Sequence, residues 1–171
     1  MYEFYVGTTP KDPPGNIVKV CLDSDGQLVD KSYYEAVSPA YLCRKGSCIY
    51  AVIENADFGG VQVFDVNKNG SLTAKARLDT EDVYSTYISA EKRGNRIFVA
   101  NYGTPSCAVY RYEAEKLVQE SVLREKKTEK SHIHCAALTP EEAYVCLVDV
   151  GTDEILVYAA DSLELVDTVK F

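Results

Sequence analysis

The chain has 171 residues and a formal net charge of −8, with 18 Lys and Arg against 26 Asp and Glu. This acidic balance argues against nucleic-acid binding, which needs a clustered basic face, and an acid interrupts the longest basic run, residues 124–127. No run of about 18 apolar residues could cross a membrane, and the N-terminus lacks the basic segment of a signal peptide. We expect a cytoplasmic protein that binds neither nucleic acid nor membrane.

The first elements along the chain are short strands. Residues 2–8 predict a strand, and further strands rich in β-branched and aromatic residues are predicted at 17–22 and 61–66. The pairs Asp25-Gly26 and Asn69-Gly70 predict tight hairpin turns, because these residue types tolerate positive φ. This first part of the chain therefore predicts antiparallel β-structure.

Sequence features recur along the chain with nearly one period. Strand ends recur at one constant spacing, at Ile53, Asn101 and Asp149. A second series recurs at nearly the same spacing, at Tyr41, Tyr87 and His134. A third series follows the turns at a slightly shorter spacing, at Leu28, Leu72, Leu117 and Leu163. A repeat of roughly 40–50 residues with about four strands is typical of a β-propeller blade, so we expect an all-β propeller.

The repeat predicts about three complete blades and two partial ones. The complete blades are expected at about 16–58, 60–104 and 106–152, a fourth begins at 154–171, and residues 2–8 are a strand of the closing blade. Because a propeller closes its edges in a ring, the chain is part of a longer ring, or several copies close the ring together, or residues 2–8 complete the fourth blade of one small ring. We favour the first alternative, and we expect exposed blade faces to self-associate or to pair with the missing half-ring.

Four segments together resemble one known family. They are Tyr5-Val6-Gly7-Thr8, the run at 98–103, His132-Ile133-His134 and the run at 149–153. In this order they resemble the lactonase family of seven-bladed β-propellers, and the chain would correspond to its N-terminal half. The resemblance covers essentially the whole chain. It differs from the family pattern in three places, since the family typically has Pro, His and Asn where this chain has Ser131, Tyr87 and Ile53.

The resemblance implies an enzyme that hydrolyses a small-molecule sugar lactone without a cofactor. The expected substrate is 6-phosphogluconolactone, an intermediate of the pentose phosphate pathway. Two other functions stay open from the sequence. One is a non-catalytic propeller that binds a ligand or serves as a scaffold, because the fold does not decide the function. The other is a lactonising or cyclising enzyme that acts on a carboxylated muconate.

The two histidines are the candidate catalytic residues. His132 and His134 are two positions apart, so on a regular strand both would face one side. Lactone hydrolysis needs a base that activates water and donors that stabilise the developing oxyanion. We predict His134 or His132 as the base and Asp149 as the group that orients it. The other histidine, with Asn101, would donate hydrogen bonds to a carbonyl or phosphate. Alternatively, each histidine is a structural hydrogen-bonding residue.

Polar residues at strand ends supply the predicted binding site. Apolar strands end in Glu54, Asn101 and Asp149, although a polar residue adds nothing to a sheet core. Equivalent positions of successive blades lie at one height around the axis, so Tyr41, Tyr87 and His134 should form one arc at the channel mouth. The predicted substrate-binding residues are Asn101, Tyr102, Glu54, Tyr41 and Tyr87. The alternative is that Asn101 and Asp149 only satisfy turn backbone.

The sequence predicts neither a metal site nor disulfide bonds. Although His132, His134, Cys135 and Asp149 are ligand types, Cys135 would lie on the opposite strand face from both histidines. The chain has 6 cysteines, none in a Cys-x-x-Cys motif. We expect all of them to be reduced, although a bond between Cys43 and Cys48 is the alternative.

Overall fold

The fold is all-β, as the sequence predicts. A computed structural model describes residues 1–9, 15–123 and 128–171. These ranges contain fifteen β-strands and no helix. Accordingly, we found no helix in the described part of the chain that is long and apolar enough to cross a membrane. The basic run at 124–127 lies outside the described residues.

The strands form four antiparallel sheets in which consecutive strands pair. The first sheet has three strands, β1 (Tyr2–Gly7), β2 (Asn16–Leu22) and β3 (Leu28–Glu35). The second has four, β4 (Leu42–Lys45), β5 (Cys48–Val52), β6 (Gly59–Val66) and β7 (Leu72–Thr80). The third contains β8 (Ser85–Ala90), β9 (Arg96–Asn101), β10 (Ser106–Glu113) and β11 (Lys116–Leu123). The fourth contains β12 (Ile133–Leu138), β13 (Tyr144–Asp149), β14 (Glu154–Ala159) and β15 (Leu165–Lys170).

Tight turns connect the two outer strands of the first three sheets. Gly26 and Gly70 adopt φ of 78° and 75°, and both N–H groups donate back to the carbonyl three positions earlier. The third sheet makes its outer turn without glycine, because Ala114 and Glu115 take positive φ of 49° and 62°. Positive φ at both central residues is the conformation of a type I′ turn, whose twist matches that of the flanking strands.

Neighbouring sheets pack face to face, and strands at the same position in each sheet contact one another. The innermost strands β4, β8 and β12 contact one another in turn, and the outer strand β7 contacts β11. The interface between the third and fourth sheets buries Phe98, Val109, Leu147 and Leu156, and similar apolar clusters fill the other two interfaces. Middle strands are thus buried on both faces, which explains why β6 and β9 are almost continuously apolar. This radial stacking is that of propeller blades.

The observed sheets correct the predicted blade boundaries. The hydrogen-bonded units cover residues 2–35, 42–80, 85–123 and 133–170, whereas the sequence predicted breaks near residues 58, 104 and 152. The strand at 2–7 also pairs with β2, so three four-stranded sheets and one three-stranded sheet replace the predicted three complete and two partial blades. The reason is that a sequence repeat gives the period of a blade but not the strand at which each hydrogen-bonded unit begins.

Strand β1 corresponds to the second strand of the other sheets, counted from the innermost one. Strand β1 contacts β4, the innermost strand of the next sheet, as β5 contacts β8 and β9 contacts β12, which makes β1 the equivalent of β5 and β9. In residues 1–9 and 15–123, no strand covers the axial edge of β1. Phe4 and Val6 on this strand are each 42% exposed. Most exposed large apolar side chains of the described residues lie on the first and fourth sheets, the two ends of the stack.

Candidate functional site

A cavity of about 520 Å³ opens where the middle strands of the second, third and fourth sheets end. Three of its residues follow the ends of β5, β9 and β13 at one constant spacing in the sequence, so each sheet contributes the equivalent position. Two more come from the innermost strands β8 and β12. The complete lining consists of Glu54, Tyr84, Thr86, Tyr102, His134 and Val150.

His134 reaches this cavity because it is the extra residue of a β-bulge. In the pairing of β12 with β13, Ile133 is opposite Asp149 and Cys135 is opposite Val148, so His134 has no partner residue. A bulge redirects the side chain of the inserted residue, and the His134 imidazole is exposed towards the cavity. The sequence predicted His134 at this opening, but it did not predict the bulge.

The third sheet contains the same bulge at Thr86. Ser85 is opposite Asn101 and Tyr87 is opposite Ala100, which leaves Thr86 without a partner residue. Thr86 lies one full repeat before His134, so the two positions are structurally equivalent. Both line the cavity. Two neighbouring sheets thus place an inserted residue at the same height of the opening.

The bulges correct the predicted arc of Tyr41, Tyr87 and His134. Tyr87 and Cys135 are the residues that follow each bulge, so Tyr87 is equivalent to Cys135 and not to His134. The rings of Tyr41 and Tyr87 lie 4.4 Å apart with an interplanar angle of 34°. They line a separate cavity of about 510 Å³ along the innermost strands, which also contains Ser89. The structure therefore separates these two tyrosines from the opening that contains His134.

Both histidines contact Tyr102, although they do so in different ways. His132 precedes β12, and its ring stacks on Tyr102 with 4.2 Å between centroids and an angle of 4°. Its Nδ1 lies 3.0 Å from the Tyr102 carbonyl oxygen, and because a carbonyl only accepts, Nδ1 carries the proton. His134 approaches the same tyrosine edge-on at 6.0 Å. His132 is therefore half-buried and fixed, whereas His134 is open to the cavity.

Asp149 fixes the backbone around His132 and is only 1% exposed. One carboxylate oxygen accepts from the N–H of His132 at 2.8 Å and from the N–H of Gly151 at 3.0 Å. Burial alone raises the pKa of Asp149, but these hydrogen bonds outweigh burial, and the pKa lies below its ordinary value. The predicted group that orients the base therefore contacts the backbone of His132, while the ring of that residue contacts Tyr102.

Asn101 has the equivalent position in the third sheet and a similar role. It is fully buried, its Oδ1 accepts from the Ser85 hydroxyl at 2.7 Å, and its Nδ2 donates to the Ser106 hydroxyl at 3.0 Å. Asn101 and Asp149 thus lie behind the cavity wall, and the residue after each of them, Tyr102 and Val150, faces the cavity. The alternative that the side chain satisfies turn backbone describes the contacts of Asp149, whereas Asn101 bonds to two serine hydroxyls.

Backbone contacts between sheets hold the loops of the wall. Tyr84 takes a positive φ of 53°, donates its N–H to Asn55 and accepts from the N–H of Tyr102, both at 2.9 Å. Gly151 lies so close to the preceding loop that a Cβ there would overlap the Lys130 carbonyl oxygen. Glycine is therefore required at residue 151 for this approach.

The sequence missed three residues of the lining, Tyr84, Thr86 and Val150. For two of them the repeat already held the signal, because Thr86 lies one repeat before His134 and Val150 lies one repeat after Tyr102. Tyr84 has no such signal. It lies in a loop whose position depends on the backbone contacts described above.

The chemistry of the cavity is that of proton exchange and hydrogen bonding. An accessible imidazole exchanges protons near neutral pH, and the Glu54 carboxylate and the hydroxyls of Thr86, Tyr84 and Tyr102 come from the same lining. Within the described ranges, no group of three or more His, Cys, Asp or Glu side chains could hold a metal ion. All six cysteines are free thiols.

Comparison with known proteins assigns this arrangement to a family. A family model described as "Lactonase, 7-bladed beta-propeller" matches residues 3–170. A Bacillus subtilis protein named 6-phosphogluconolactonase is 29% identical over 170 residues, which cover 92% of this chain and 49% of the relative. An uncharacterised protein of Staphylococcus saprophyticus is 28% identical over 182 residues, with 98% and 53% covered. The chain therefore spans about half the length of the curated relatives it matches.

Solved structures show the same fold at lower identity. A Lactobacillus plantarum protein superimposes with a TM-score of 0.82 at 22% identity, covering 98% of this chain and 52% of the other. A structure described as a periplasmic gluconolactonase of Pseudomonas aeruginosa gives a TM-score of 0.79 at 22% identity, with 92% and 50% covered. At this identity the likeness supports the fold alone.

Proposed function

Because the chain belongs to the lactonase family of seven-bladed β-propellers, we propose that the protein in its natural full length hydrolyses a sugar lactone. The observation that carries the proposal is the position of His134, whose imidazole a β-bulge presents to the cavity at the ends of the middle strands. Next to it the cavity offers hydroxyl groups that can donate hydrogen bonds. A lactonase needs this combination of a base and neutral donors.

In the proposed reaction His134 is the general base. It takes a proton from a water molecule as the water oxygen bonds to the lactone carbonyl carbon, and the carbonyl becomes an oxyanion. The ring C–O bond then breaks, the protonated imidazole returns its proton to the leaving ring oxygen, and the products are a carboxylic acid and a free hydroxyl. Tyr84 and Tyr102 supply the hydroxyl donors in this proposal, since both line the cavity.

His132 and Asp149 have supporting roles in this proposal. His132 already donates from Nδ1 to the Tyr102 carbonyl and stacks on the Tyr102 ring, so it fixes the tyrosine against the wall. Asp149 fixes the backbone N–H of His132. These contacts favour His134 over His132 as the base, a choice that the sequence left open.

The proposed substrate is 6-phosphogluconolactone, in the pentose phosphate pathway. The named Bacillus subtilis relative supports it. A phosphate group calls for cationic partners, whereas the cavity lining described above contains the carboxylate of Glu54 and neither lysine nor arginine. We therefore propose that the rest of the full-length protein supplies the cations that bind the phosphate. The free thiols agree with a cytoplasmic location, which stays a prediction.

The experiment is a hydrolysis assay on the natural full-length protein with three substrates. We expect turnover of 6-phosphogluconolactone and slower turnover of the unphosphorylated gluconolactone, both followed by acid release at constant pH. We expect no conversion of a carboxymuconate, which is followed by its ultraviolet absorbance because lactonisation releases no acid. Spontaneous hydrolysis without protein is the control. If the protein binds the lactones without turnover, the proposed enzymatic function is wrong and the protein is a binding propeller. Conversion of the muconate alone would point to a lactonising enzyme.

The exposed end faces lead to a proposal about association. We propose that the faces of the first and fourth sheets pair with further blades, either from the rest of the full-length protein or from a second copy. Contiguous exposed apolar surface favours association, and β1 in addition presents an uncovered strand edge. The half of each relative that this chain does not cover is the length that the further blades would occupy.

We expect the 171-residue chain alone to elute from a sizing column as more than a monomer. The double substitution Phe4→Lys with Val169→Lys places charge on both end faces and should shift the chain towards the monomer. Val118→Lys is the matched control, because Val118 is similarly exposed, at 55%, but lies on the outer strand of the third sheet. A compact wild-type monomer, measured by light scattering, would contradict the proposal.

A further inference from the structure

Thr86 connects the two bulges across neighbouring sheets. Its hydroxyl lies 3.2 Å from the His134 carbonyl oxygen in the fourth sheet and 3.5 Å from the Ala100 carbonyl in its own sheet. The shorter contact, with the His134 carbonyl, is the stronger hydrogen bond. The extra residue of the third sheet therefore contacts the backbone of the extra residue of the fourth.

This contact lies where ladder hydrogen bonding is interrupted. An inserted residue is left unpaired and the ladder around it is disrupted, so the backbone at His134 has less support than its neighbours. The regular pairing of β12 with β13 resumes at Cys135. The Thr86 hydroxyl, which donates to the His134 carbonyl from the neighbouring sheet, replaces part of this missing support.

We propose that Thr86 is a positioning residue for His134. By holding the His134 carbonyl, it fixes the backbone from which the imidazole projects, and so the place of Nε2 and Nδ1 relative to bound substrate. This inference rests on the proposed function, because positioning matters only where His134 acts as the base. A displacement of about 1 Å in a reacting group can cost roughly 100-fold in rate.

Ser89 provides a matched control on the same strand. Its hydroxyl donates to the Ala136 carbonyl at 2.7 Å, so it makes the same kind of bond between β8 and β12. Ser89 lines the other cavity, and the pairing of β12 with β13 is regular at Ala136. Loss of the Ser89 hydroxyl thus removes an equivalent bond between sheets without touching the bulge.

The test compares Thr86→Val, Thr86→Ser and Ser89→Ala in the natural full-length protein. Valine keeps the shape of threonine without the donor, and we expect kcat for lactone hydrolysis to fall roughly ten- to a hundredfold, with KM changed less than about twofold. Serine keeps the donor and should restore most of kcat. Ser89→Ala should leave kcat unchanged. If Thr86→Val fails to fold, Thr86→Ala, which also lacks the hydroxyl but adds no branched methyl, replaces it.

A second readout does not depend on activity. In NMR spectra, the His134 ring signal, assigned by its loss in His134→Ala, should shift in Thr86→Val and stay in place in Ser89→Ala. An unmoved His134 signal together with a rise in KM alone would overturn the proposal and make Thr86 a substrate contact. If the wild-type protein does not hydrolyse lactones, the proposed function fails, yet the ring signal still reports whether Thr86 holds His134.

Discussion

Replacing His134 with alanine is expected to lower kcat for lactone hydrolysis by roughly 100- to 10,000-fold, the usual contribution of general acid–base catalysis. The reason is that the imidazole is the proton-exchanging group exposed in the cavity. His134→Gln should lose nearly as much, because glutamine can hydrogen-bond but cannot take the proton of water. Initial rates with saturating lactone in the natural full-length protein measure the effect.

Two controls decide how this result is interpreted. Gln27→Ala alters an exposed side chain in the first hairpin, far along the sequence from the cavity, and should keep the wild-type kcat. His132→Ala removes the ring that stacks on Tyr102 and should cause a smaller loss than His134→Ala. If His132→Ala instead gives the larger loss, the base is His132 and our assignment of His134 is wrong.

Replacing Asp149 with alanine is expected to lower the free energy of unfolding by roughly 2–4 kcal/mol, because the N–H groups of His132 and Gly151 lose their acceptor. Asp149→Asn should cost less. The asparagine side chain has nearly the same shape, and its amide oxygen can still accept from both N–H groups. Urea denaturation at neutral pH measures both changes, and Asp30→Ala, at an exposed residue on β3, is the control.

The depressed pKa of Asp149 also predicts a pH dependence. A carboxyl group whose pKa is lower in the folded state stabilises the fold fully above its ordinary value of 3.8 and loses that contribution as the pH falls further towards its folded-state pKa. The stability difference between wild type and Asp149→Asn should therefore be largest near neutral pH and shrink below about 3.8. A difference that stays constant from pH 7 to pH 3 would contradict this role of the charge.

Most of the fold could be predicted from the sequence because a stack of similar sheets requires a repeating pattern of apolar strands. Equivalent strand ends at Ile53, Asn101 and Asp149 keep one spacing, since each sheet must bury the same apolar strands against its neighbours. The phase of the repeat could not be predicted in the same way. Whether a tight turn or a sheet boundary follows a given strand depends on hydrogen bonding between strands, which leaves no unique mark in composition.

The predicted site residues lie on both sides of the cavity wall. Glu54, Tyr102 and His134 line the cavity. Asn101 and Asp149 turn inward, the first to two serine hydroxyls and the second to backbone N–H groups. Successive side chains of a strand point to opposite faces, so a shift of one residue moves a side chain from the core to the opening. The bulge at His134 could not be deduced either, since a one-residue insertion in a repeat looks the same as ordinary variation in loop length.

The equal spacing of Glu54, Tyr102 and Val150 has a consequence for redesign of the pocket. Each residue follows a strand of a different sheet, and the apolar interfaces between sheets are built from other positions. Under the proposed function, we expect substrate specificity to change one wall at a time, for instance by introducing at Val150 the aromatic group found one repeat earlier. Such substitutions would leave the buried interior between the sheets unchanged, because the clusters that fill it contain none of these three residues.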